Sequence, residues 1–228
     1  MIKIILIMLK IGLLENFKEN NMSRLEEYII NESKKVEIVL QQLNPSIQEI
    51  LNKECKKYIK LLKQHNLKPF YRGIYEHVNK GESYRKKVRQ DRKPSGTPDN
   101  EFEMFNRWLS KNKHTRRDKS VSVTSSLWNA ETFGNGYYFF PIGKFNYTWI
   151  KAKDLNLDDE RTGWEWSFMN YIFDYEEDYS TEVGKNLVRK VKKVFPTYFT
   201  TNKGIEIAWK NSYEIWFDCK SYYVVNAE

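Results

Sequence analysis

Cysteine, histidine, glycine and proline are all scarce in this chain. The two cysteines, Cys55 and Cys219, lie far apart, and His65, His77 and His114 share no ligand spacing with them or with one another. A zinc site needs several such ligands at short, regular intervals, so no metal is expected, and a disulfide framework of the small secreted kind is excluded. Free thiols suit a reducing compartment, and a cytoplasmic location is expected. With ten glycines and six prolines in 228 residues, collagen-like and low-complexity classes are also excluded. No glycine-rich phosphate loop of the Walker or dinucleotide type is present. Nor is there an apolar run long enough to cross a bilayer, because the opening MIKIILIMLKIGLL is interrupted by Lys3 and Lys10. The ENFKENN that follows offers no small-residue cleavage site. Residues 1–22 are therefore expected to be an extension outside the fold, with a membrane-surface anchor as the alternative. Ser23 and Glu26 then form a capping box that opens a helix.

What the chain does contain is aromatic and basic. Fifteen Tyr, thirteen Phe and seven Trp can fill a mixed α/β core, and a net charge of +8 favours anionic partners such as nucleotides, nucleic acid or acidic protein surfaces. Charge alone does not choose among them, since a solvated basic face has the same composition.

Hydrophobic spacing organises the chain. Leu25, Ile29, Ile30, Val36, Val39, Leu40 and Leu43 recur at helical intervals until Asn44-Pro45 breaks the run. A second helix is predicted with Ile47, Ile50, Leu51, Tyr58, Ile59, Leu61 and Leu62 as its buried stripe, ending at His65-Asn66 before Pro69. Phe70–Ile74 reads as a short strand. Residues 79–100 read as a basic loop carrying Arg85, Lys86, Lys87, Arg89, Arg92 and Lys93, and Glu101–Leu109 as an amphipathic helix. Strands are expected at Ser120–Thr124, Tyr137–Pro141, Tyr147–Lys151, Ser212–Asp218 and Tyr222–Val225. Helices are expected over Trp164–Tyr175 and Val183–Val194, and Glu206 is expected on a helix. The acidic run Asp174–Asp178 lacks the spaced ligands and glycine of a calcium loop and reads as a solvated helix end or loop. Helices first and short strands afterwards indicate an α+β arrangement, with a helical region at 23–66 and a second unit at 67–228.

Three separated stretches carry the chemistry: Tyr71-Arg72-Gly73 in a strand, Val123-Thr124-Ser125-Ser126 at a strand end, and Glu214-Ile215-Trp216-Phe217 opening a late strand. Taken singly, each has an ordinary structural use. In this order they resemble the Arg–Ser–Glu class of ADP-ribosyltransferases, the mono-ADP-ribosylating toxins and their relatives, over roughly residues 69–225. Leu127–Gly134 is similar to the segment that follows the hydroxyl motif there. Asp91-Arg92-Lys93-Pro94 and Phe139-Phe140-Pro141-Ile142-Gly143 resemble uncharacterised phage-encoded members, which places the expected activity in a host cytoplasm.

The resemblance implies a split, mixed β-sheet core and NAD as co-substrate, with ADP-ribose passed to a macromolecular acceptor, a host protein or nucleic acid. It assigns Arg72 to the phosphates and nearby ribose, the Gly73 main chain to the nicotinamide amide, and Thr124, Ser125 and Ser126 to orienting the site. It makes Glu214 the catalytic carboxylate. Tyr138, or its neighbours Tyr137 and Phe139, would stack on the nicotinamide. The residue types suit the chemistry: an arginine fork grips phosphate bidentately, and a carboxylate stabilises the positive charge that develops as the N-glycosidic bond breaks. Two departures stand out. Thr124 occupies a place usually held by Ser, and Ser212 stands where arginine-modifying members carry a second Glu, so an arginine acceptor is not expected. The alternatives are a protein that binds or cleaves NAD without transfer, or a non-enzymatic nucleic-acid or virion protein.

Overall fold

The computed structural model describes residues 35–92, 99–151 and 195–227. The expectations for 1–22, for the start of the first helix, and for Trp164–Tyr175, Asp174–Asp178 and Val183–Val194 lie outside these residues. Three helices come first: α1 (Lys35–Gln41), α2 (Pro45–Glu54) and α3 (Lys56–Gln64). Pro45 opens α2 at a position where a missing N–H costs nothing. The helix predicted as one through Leu62 is two, because the backbone leaves helical geometry at Cys55 (φ −107°, ψ 16°). The small turn there lets Leu51 in α2 and Tyr58 in α3 both reach the core.

The sheets follow as β1 (Tyr71–Ile74), β2 (Ser83–Lys87), β3 (Val121–Val123), β4 (Asn135–Pro141), β5 (Phe145–Ile150), β6 (Phe199–Thr201), β7 (Ile215–Cys219) and β8 (Ser221–Val225). Between them lie α4 (Asp99–Lys111), α5 (Leu127–Glu131) and α6 (Ile205–Lys210), the last carrying Glu206 as expected. One sheet runs β1-β4-β8-β2 and the other β3-β7-β5-β6. The core is thus α+β and split in two, but every strand pairing among the described residues is antiparallel, not mixed. Among the described residues one isolated antiparallel bridge joins the backbones of the two sheets: Tyr71 N donates to Thr124 O at 2.7 Å and Thr124 N returns to Tyr71 O at 3.1 Å.

β2 lies in the segment expected to be a loop. Its charged residues hide the strand pattern, yet Ser83–Lys87 pairs along its length with β8 as an edge strand, where lysine is the usual guard against further pairing. The helical layer and the sheets share one core. Tyr58 is fully buried and meets Phe139, Phe140, Phe145 and Phe217 edge-on, with centroids 5.7–6.1 Å apart. Cys55 and Cys219 are buried and free, and burial pushes both thiols up to about 12, which leaves them unreactive at neutral pH. Among the described residues no helix is long and apolar enough to cross a membrane, and no cluster of His, Cys, Asp or Glu could hold a metal.

Candidate functional site

The three sequence stretches meet beside the bridge that joins the two sheets. β1 brings Arg72 and Gly73 from one sheet; the residue following β3 and the residue preceding β7 bring Thr124 and Glu214 from the other. All four line one pocket of about 60 Å³. A groove of about 330 Å³ adjoins it, and Arg72, Gly73, Arg92 and Phe133 border both.

The register of β3 against β7 explains how Glu214 is held. Ser122 faces Trp216, and because strand side chains alternate, Glu214 two residues earlier shares that face. Ser122 Oγ donates to Glu214 Oε1 at 2.6 Å, and Trp216 Nε1 donates to the same oxygen at 2.7 Å. Arg117 completes the clamp: its Nη2 lies 3.7 Å from Oε1, and its guanidinium sits 5.3 Å from the centre of the Trp216 ring. Arg117 and Glu214 are only 5% and 6% exposed, so their attraction is poorly screened by water. Asn106 on α4 fixes the one-turn 3-10 helix that carries Arg117, accepting from Arg117 N at 2.7 Å. Arg92 N donates to Asp118 O in the same turn, which brings a third arginine to the pocket.

The lining is therefore cationic. Among its described residues, Arg72, Arg92 and Arg117 oppose the single carboxylate of Glu214. Burial, together with Arg72 and Arg117, pushes Arg92 down to about 10, against the pull of Glu214 and Tyr222. Arg72 Nη1 donates to Ser122 O at 2.9 Å, while its Nε is buried with no hydrogen-bond partner among the described residues. A buried donor left unmade is costly, and a ligand anion would satisfy it.

Gly73 is needed for packing as well as access. A Cβ there would lie 2.0 Å from the carbonyl oxygen of Ala130, since α5 lies directly over β1. Thr124 borders the pocket and uses Oγ1 to accept from Ser126 N at 3.2 Å. The other expected ligands lie elsewhere. Ser125 Oγ donates to the carbonyl of Trp209 and bonds Ser212 Oγ at 3.0 Å, tying this loop to the one before β7. Ser126 caps α5 by accepting from Asn129 N at 3.2 Å. Tyr138 is buried and stacked on Tyr71 at 4.6 Å, its hydroxyl engaged by that of Tyr71. Tyr137 holds Val78 N, and Phe139 is in the core. The half-exposed aromatic at the pocket is Phe133.

Ser122, Arg117, Arg92 and Phe133 were not legible as site residues. Only Ser122 carried a signal: the alternation Val121-Ser122-Val123 turns its hydroxyl away from the core and toward the face that Glu214 shares. No protein-family model matches the chain, and neither a curated protein nor a solved structure matches it.

Proposed function

We propose that this protein is an NAD-dependent ADP-ribosyltransferase. The observation that carries the reading is the convergence of Arg72, Gly73, Thr124 and Glu214 on one pocket from stretches separated by as much as 142 positions. An anionic dinucleotide fits the residues present: Arg72 and Arg92 border the pocket as cations while Arg117 is committed to Glu214, and Arg72 Nε is a buried donor that a phosphate oxygen would satisfy. The inner pocket is too small for a whole dinucleotide, so the substrate runs from it into the groove, with its nicotinamide ribose inward. There the bond from ribose C1′ to the nicotinamide nitrogen breaks, its electron pair leaves with neutral nicotinamide, and Glu214 stabilises the positive charge on the sugar. A preorganised charge of this kind is typically worth about 3–4 kcal/mol. Ser122, Trp216 and Arg117 hold the carboxylate still, so little reorganisation accompanies the reaction.

Incubation with NAD labelled in its adenylate half, together with a bacterial lysate, tests the proposal. Label is expected in macromolecules with the native chain and not with Glu214→Ala or Arg72→Ala. Equal labelling by all three proteins would remove the catalytic assignment.

A further inference from the structure

We propose that the basic groove beside the pocket seats a single strand of nucleic acid, and that this strand accepts the ADP-ribose. Strand binding stands on the groove itself; the acceptor role rests on the transferase reading above.

Charge restricts the acceptor first. The pocket lining carries a net two positive charges among its described residues, and NAD, with two phosphate charges and one pyridinium, contributes a net single negative charge. The loaded site stays positive, and an arginine or lysine side chain entering it meets repulsion. Nothing nearby offsets this: the hydroxyl of Ser212, two residues before Glu214, is engaged with Ser125 at 3.0 Å, and no second carboxylate borders the pocket among the described residues. A neutral nucleobase on an anionic backbone meets no such barrier.

The groove then supplies the seat. It is bordered by Lys86, Lys87, Arg89 and Arg92 from β2 and the segment after it. Its one carboxylate among the described residues, Glu76, is paired with Lys86, and Arg89 lies 3.7 Å from Asp91 in a pair so exposed that water screens it, which leaves Lys87, Arg89 and Arg92 to meet phosphates. Lysines on an edge strand also discourage further strand pairing, so they do not by themselves point to a ligand. Tyr75 has no such use. It borders the same groove directly after β1 and is 87% exposed, an aromatic face left in water beside a row of cations. Cations tracking a backbone next to an open aromatic ring are the combination that binds single strands, with bases stacking on the ring.

The transfer balances simply. A ring or exocyclic N–H group of the base attacks C1′ of the ribose through its nitrogen as the bond to nicotinamide breaks. Nicotinamide leaves neutral with the electron pair, and the acceptor's proton passes through Glu214 to water.

Fluorescence anisotropy with labelled 20-nucleotide single-stranded DNA and RNA tests the seat without NAD. The native chain should bind, with log Kd rising against log salt with a slope of about 2 for three neutralised phosphates. Lys87→Glu combined with Arg89→Glu, both exposed, should weaken binding tenfold or more with an unchanged circular dichroism spectrum. Tyr75→Ala should weaken it while leaving the salt slope alone. Absent binding of either strand, or equal binding by the charge-reversed protein, overturns the proposal. Adding adenylate-labelled NAD tests the acceptor role: label should enter the oligonucleotide. Consumption of NAD with label only in protein or in free ADP-ribose overturns the acceptor assignment and leaves the transferase or hydrolase reading standing. Strand binding without any NAD consumption overturns the transferase reading and leaves the seat.

Discussion

At the scale of single residues, the account turns on one oxygen of Glu214 that receives Ser122, Trp216 and Arg117 together. These three partners have different expected effects. Ser122→Ala removes one hydrogen bond and should lower kcat for nicotinamide release by about tenfold at little cost in KM, since a loosened carboxylate loses about 1.4 kcal/mol of transition-state stabilisation. Arg117→Met removes one member of a buried ion pair and should cost about 3–5 kcal/mol of stability, read as a lowered midpoint in urea. A midpoint within error of the native one would mean that Arg117 is not engaged as described. Gly73→Ala forces a methyl against the Ala130 carbonyl and should destabilise by at least about 1–3 kcal/mol whether or not NAD binds. That variant alone therefore says nothing about function, and melting curves with and without NAD are needed to read it.

At the scale of elements, His114 links the end of α4 to β6. Its Nδ1 lies 2.8 Å from Thr201 Oγ1, and burial lowers its pKa from the ordinary 6.5. The unfolded chain therefore binds a proton at a higher pH than the folded one does, and the stability this group contributes is present above about pH 6.5 and lost as pH falls through the folded value. Melting temperatures measured from pH 7.5 down to 5 should decline below 6.5, and His114→Gln should flatten that decline; a profile unchanged by the substitution refutes the assignment. Elements were legible in the sequence in proportion to how cleanly one physical signal dominated. Apolar periodicity located the helical layer among the described residues, and nearly continuous aromatic and β-branched runs located β4, β5 and β8. Between Leu51 and Tyr58 the stripe continues without Pro or Gly, so the turn at Cys55 left no mark. β2 was hidden because edge position and charge replaced alternation with a basic run. The short α5 was read only as a family-like segment, although Ser126 caps it and Gly73 makes room for it. Arg72, Gly73, Thr124 and Glu214 could be named because the family pattern orders them along the chain. Arg92 and Arg117 could not, since only the bond between Arg92 N and the turn at Asp118 brings them together.

At the scale of the whole molecule, the helical region before residue 67 and the sheets after it share one core. Residues of α1, α2 and α3 belong to the same buried cluster as those of β4, β7 and β8. Tyr58→Ala should accordingly cost about 3–5 kcal/mol, and a chain beginning at residue 67 should lose the cooperative unfolding of the full protein. A sharp transition in that truncated chain would mean that the sheets need no helical cover. The sheets in turn bring the site together, since the bridge between Tyr71 and Thr124 sets Arg72 and Gly73 of one sheet beside Thr124 and Glu214 of the other. The most direct test of the central claim is the rate of nicotinamide release from NAD, followed by chromatography, for the native chain and Glu214→Gln, with NAD affinity measured by calorimetry on both. The account predicts release by the native protein, a loss of about a hundred- to thousand-fold in the variant, and little change in affinity. NAD bound by neither protein, or released nicotinamide at the same rate from both, would contradict it.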